Sequence, residues 1–166
     1  MPNDPDLQSR FGHALDIATG QARAGEVCLA WVRAERSDFV RFNHGRIRQA
    51  GTVERAVCEL RLIEAGRQVR LCLTLGADPD LDAACIRDAM TRLRATITHA
   101  RVDPFLDFDQ QTRSSAHRRA VRLPSSGEIV DTVCAAASGY DLVGFYAGGP
   151  MACGFASSLG HHHWHE

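Results

Sequence analysis

The sequence predicts an α+β fold, an antiparallel sheet meander flanked by helices and followed by a helix plus hairpin that begins an incomplete second domain. Three observations predict it. Apolar residues recur at three- and four-residue steps near residues 5–23 and again over 79–99. Between those stretches the period changes to two, in runs separated by turn formers. A capping box at Ser125-x-x-Glu128 then opens one more helix.

Asp4-Pro5 caps the first expected helix, whose stripe is Leu7, Phe11, Ala14 and Ala18 and whose end is Gly25. The β-type runs that follow are Val27–Val32, Phe39–Phe42, Ile47–Gln49, Val53–Ile63 and Val69–Leu75. Ala56, Cys58, Leu60 and Leu62 alternate with Arg55, Val57, Glu59 and Arg61, so one face is apolar and the other polar. Asn43-His44-Gly45-Arg46 reads as a hairpin turn, with Asn and Gly supplying positive φ. Asp78-Pro79 starts a long helix whose stripe is Ile86, Ala89, Met90, Leu93 and Ile97.

Residues 101–124 lack a sustained period and carry Arg118-Arg119-Ala120-Val121-Arg122, a basic run that faces solvent and binds an anion only if the fold converges its arginines. After the capping box, Ile129, Val133 and Ala137 continue a helix to Gly139, and Leu142–Ala147 and Met151–Ser157 flank Gly148-Gly149-Pro150 as a hairpin. The expected organisation is an α+β unit over 1–100, a linker over 101–124, and the start of a second unit over 125–166 that looks truncated, since a lone hairpin is marginal in water.

Composition excludes several function classes. Nineteen basic and twenty acidic residues among 166 give a formal charge of −1, so no long-range field favours nucleic acid or anionic lipid. No apolar run spans a bilayer and no signal pattern opens the chain, so the expected location is the cytoplasm. The cysteines Cys28, Cys58, Cys72, Cys85, Cys134 and Cys153 form no C-x-x-C pair and read as free thiols.

The chemistry-bearing motifs are weak. His161-His162-His163-Trp164-His165-Glu166 holds metal-ligand types, but His161, His163 and His165 on one strand do not enclose a tetrahedral ion without groups from elsewhere. His165-Glu166 lacks the remaining letters of H-E-x-x-H. Cys28 with His44, and Ser157-Ser158 with His161, pair a nucleophile type with a base type, yet neither has an identifiable orienting carboxylate. Gly144-x-x-x-Gly148-Gly149 leads to Pro150 and not to a phosphate loop. No catalytic, cofactor-binding or metal-binding residue is assigned.

The stretches Glu35 to Gln49, Gly144 to Pro150 and Gly154 to Gly160, with Trp164-His165-Glu166, look like the amino-terminal part of the TldD/PmbA proteins, also called modulators of DNA gyrase. The resemblance spans about residues 7–166. It implies an initial α+β domain with a strand, a hairpin and a glycine-turn strand pair. It also implies a zinc-dependent peptidase family whose H-E-x-x-x-H motif lies beyond this point, with a related subunit that lacks the motif and helps enclose the peptide channel. No residue here matches that motif, so zinc is expected only in a full-length catalytic member. The resemblance makes this chain a non-catalytic portion, a truncated member or a fragment, that scaffolds subunit pairing and encloses peptide or unfolded substrate. The resemblance implies a homo- or hetero-oligomer with a TldD/PmbA-type subunit. The alternative is a stand-alone interaction or regulatory module without hydrolase activity.

Overall fold

A computed structural model describes residues 6–76, 78–119 and 122–166. The Asp4-Pro5 cap lies outside the described residues, as do Ala120 and Val121 of the basic run and the side chain of Leu7. Helix α1 is Asp6–Thr19, followed by strands β1 Glu26–Asn43, β2 Arg46–Glu64 and β3 Arg67–Thr74, then helix α2 Pro79–Ile97. Strand β4 is Ser114–His117, helix α3 is Ser126–Ala136, and β5 Gly144–Gly148, β6 Met151–Ser157 and β7 His162–His165 complete the order. The α+β class holds, with seven strands in one sheet ordered β3-β2-β1-β6-β7-β4 and β5 also paired to β1. All pairings are antiparallel except β4 with β7.

Both long helices cover one face of the sheet, α1 against β1 and β6 and α2 against β2 and β3, with the helices touching each other. The core there unites Phe11, Ala14 and Leu15 of α1 and Ile86, Met90 and Leu93 of α2 with Cys28, Ala30, Val32, Cys58, Leu60, Ala156 and Trp164 of the sheet. Burial removes water from both thiols, pushing Cys28 and Cys58 up to about 12. Helix α2 starts where the sequence places it, with the Asp78 carboxylate accepting from the amides of Asp80 and Leu81. Helix α1 stops at Thr19, short of the expected residue 23, because the Thr19 hydroxyl and the Gln21 amide group donate to carbonyls of its last turn, those of Leu15 and Ile17.

Four of the expected β runs merge into two. Strands β1 and β2 pair continuously from Glu26↔Glu64 to Asn43↔Arg46, with one irregularity between Arg41 and Phe42. The residues that read as breaks are satisfied inside the ladder. Asp38 accepts from Thr52 and Ser126 hydroxyls, each at 2.6 Å, which lowers its carboxyl below the ordinary range. Gly51 leaves room for the ring of Phe39, its directly opposed neighbour. The turn has positive φ at His44 (52°) and Gly45 (66°), so the sequence reading is corrected from Asn43 to His44 at its first left-handed position. His44 Nδ1 lies 2.8 Å from Asp141 Oδ1, and the Gly45 amide donates to the Leu142 carbonyl at 3.1 Å.

The expected β5–β6 hairpin is also corrected. The two strands do not pair with each other. Both run antiparallel to β1, β5 beside Asp38 to Phe42 and β6 beside Leu29 to Glu35, as one strand interrupted at Gly149-Pro150. The partner that the sequence reading left missing is therefore β1. The interruption stays in contact through the Arg36 amide, which donates to the Pro150 carbonyl at 3.1 Å. A Cβ at Gly149 would overlap the Arg36 carbonyl oxygen, so only glycine fits. Residues 101–112 fold back over the second face of the sheet, where the Gln68 amide donates to Asp103 at 2.6 Å and the Asp103 amide to the Gly66 carbonyl at 2.8 Å.

Two expectations follow. Gly149→Ala should lower stability by roughly 1–3 kcal/mol, the cost of forcing atoms into a filled site, while Gly144→Ala, whose added carbon meets only Leu142 at 3.8 Å, should melt like the parent. Equal melting temperatures for the two variants would remove the close approach from the account. The second expectation concerns Glu26, 5% exposed, which accepts from Arg94 Nε at 2.8 Å and Nη2 at 2.9 Å, a two-pronged bond that holds its carboxyl below the ordinary range. Because the folded value is the lower one, this pair stabilises above the ordinary carboxylate pKa and the benefit is lost as pH falls through the folded value. Glu26→Gln should therefore destabilise at pH 7 and approach the parent in acid, as measured by urea unfolding across pH.

Candidate functional site

Strand alternation leaves a second sheet face away from the helices, and cross-strand register arranges its side chains in rows. One row runs Val57, Arg33, Cys153, His165, His117 across β2, β1, β6, β7 and β4. The next runs Glu59, Trp31, Phe155, His163, Ser115. Along the first row, and reaching Arg55, Arg118 and Arg119, lies a cleft of about 760 Å³, within the usual size range for ligand sites. The fold thus converges two arginines of the basic run with Arg33 and Arg55, while Arg122 lies 4.0 Å from Glu128 instead. Arg118 Nε is 2.7 Å from Glu166 Oε1, and the described residues give Arg33 and Arg55 no ion-pair partner. Trp31 Nε1 donates to Cys153 Sγ at 2.8 Å within the same region.

The residues weighed from sequence are distributed differently. Cys28 is buried 3.8 Å from Met90 Sδ, whereas His44 sits exposed at the far β1–β2 turn, so that pair is not brought together. Ser157 and His161 do meet, Oγ to Nδ1 at 2.6 Å, and both are 3% exposed. His161 Nε2 is 2.8 Å from the Gln111 carbonyl, which can only accept, so that nitrogen carries a proton, and its Nδ1 faces the Ser157 hydroxyl. Ser157 Oγ also accepts from the amides of Leu159 and His161. The contacts of this dyad hold the 157–161 turn and tie it to Gln111. His163 contacts the Ser115 hydroxyl at 2.8 Å, and the His165 and His117 rings stack with centroids 5.1 Å apart. Among the described residues no group of three or more His, Cys, Asp or Glu side chains is placed to hold a metal, so the residues do not fit a zinc site.

Sequence reasoning missed the cleft because it missed β4 and the parallel pairing of β4 with β7 at the histidine run. Each strand has four residues, and β4 lies in the segment that read as a connection. Its available signal was the outward position of Arg55, opposite Glu35 in the β1–β2 register.

No model of a known protein family matches the chain, and no curated protein does. Solved structures do. TldE from Thermococcus kodakarensis superposes with a TM-score of 0.62 at 15% identity, over 93% of this chain and 36% of that one. The chain shares the fold of that part of TldE. A Thermotoga maritima protein described as a modulator of a DNA gyrase gives 0.61 at 14% identity, over 95% of this chain and 36% of its own. A modulator of DNA gyrase from Bacteroides thetaiotaomicron gives 0.57 at 11%, over 96% and 38%. The chain thus spans a little over a third of the length of TldE and these modulators, and at such identities the likeness is one of fold. They are the proteins toward which the turn and strand residues pointed.

If the Ser157–His161 contact is structural, Ser157→Ala should lower unfolding free energy by about 2 kcal/mol, through two amides and one ring nitrogen left without their partner. A variant that unfolds like the parent in urea would contradict that role.

Proposed function

We propose that this chain is a non-catalytic portion of a TldD/PmbA-type protein that scaffolds subunit pairing and helps enclose a peptide or unfolded substrate during proteolysis. The observation that carries the reading is the fold shared with TldE and the gyrase modulators over 93–96% of this chain. Two features of the molecule support a scaffold. The β1–β2 arm carries exposed apolar groups, Ile47 near its turn and Val53 sharing a hollow with Phe145 of β5. The cleft described above offers a surface on which an extended chain can lie. On this reading, hydrolysis in such an assembly would come from residues outside this chain. No described helix is long and apolar enough to cross a membrane, and the reading places the assembly in the cytoplasm.

Co-expression with a TldD/PmbA-type subunit from the same genome tests this. The expected result is a stable complex of defined mass in size-exclusion chromatography with light scattering. A chain that stays monomeric alone and with that subunit would overturn the scaffold and leave a stand-alone module.

A further inference from the structure

We infer that the arginine cleft selects acidic, extended peptide segments, an inference that rests on the scaffold reading and names the substrate class it would take. Four arginines, Arg33, Arg55, Arg118 and Arg119, line one hollow of a protein whose formal charge is only −1. The opposing charges there are Glu35 and Glu166, and Glu166 is already engaged by Arg118. Arg33 and Arg55 are exposed, lie on adjacent strands of the β1–β2 ladder, and present planar forks suited to carboxylates.

The rest of the hollow argues for a chain over a simple ion. Its lining includes Val57, Met151 and Cys153, so a ligand that carries carboxylates on an apolar body satisfies more of it than inorganic phosphate does. Nucleic acid is disfavoured by the same lining and by the absence of a net basic field. The stacked histidines His117 and His165 also line the hollow, which is partly open to solvent and so does not require a ligand small enough to be enclosed.

Fluorescence anisotropy with a labelled pentapeptide alternating Glu and Leu, against the same peptide with Gln for Glu, tests the inference on the full chain. The acidic peptide should bind about tenfold more tightly, and the preference should shrink as salt rises. The double variant Arg33→Gln with Arg55→Gln should abolish the preference while melting like the parent, since both side chains are exposed and unpaired among the described residues. Arg87→Gln, on the exposed side of α2, should leave it intact. Equal binding of both peptides, retention of the preference in the double variant, or tighter binding of inorganic phosphate or single-stranded DNA than of the acidic peptide would overturn it. If the acidic peptide fails while the chain still enters the subunit complex, the substrate class falls and the scaffold stands.

Discussion

Strand β1 is hydrogen-bonded along both edges, to β2 over its whole length on one side and to β5 and β6 on the other. Backbone groups in a sheet interior have no water to turn to, so every ladder bond missing there would leave a buried donor or acceptor without a partner. This constraint explains features that look unrelated. The strand starting at Gly144 must follow β1 past its midpoint, and the path is tight enough that Gly149 passes against the Arg36 backbone without room for a side chain. Pro150 is tolerated because its carbonyl still accepts from Arg36, while its missing N–H falls where the strand is already interrupted.

The elements legible in the sequence are those whose stabilising contacts are local or periodic. Helix α2 is fixed by Asp78 at its cap and a stripe from Ile86 to Ile97, and α3 by a capping box in which Ser125 and Glu128 reach each other. Strand pairing is a long-range property, and there the reading faltered. Gly148-Gly149-Pro150 has the composition of a hairpin turn, and nothing near it records that Arg36, more than a hundred residues earlier, is the group it must approach. Ser37-Asp38 likewise has the composition of a break, yet Thr52 and Ser126 satisfy Asp38 and the strand continues. His44 took a left-handed conformation expected of Asn43, its ring nitrogen lying beside Asp141.

The candidate site shows the same division. That outward-facing residues of β2 would be polar was readable from alternation, and the condition under which Arg118 and Arg119 become a binding feature was explicit. Whether the condition was met depended on β4 pairing in parallel with β7, a contact of four residues on each side with no local signal. The histidine tail illustrates the converse. A run rich in metal-ligand types is divided by cross-strand register and a turn among three duties: His161 locks Ser157 and Gln111, His163 meets Ser115, and His165 stacks on His117.

The two halves of the chain are consequently interdependent at the cleft. Arg33 and Arg55 come from the first hairpin, whereas Cys153, His165 and Arg118 come from strands and a connection that follow α2. Neither set forms a concave surface by itself, because the hollow exists only where β6, β7 and β4 extend the sheet beyond β1. The pairing that spares β1 an unsatisfied edge is also what sets the basic run opposite Arg33. A change that loosens β6 from β1 must therefore act on the cleft without touching any arginine, which makes sheet continuity a condition of recognition as well as of stability.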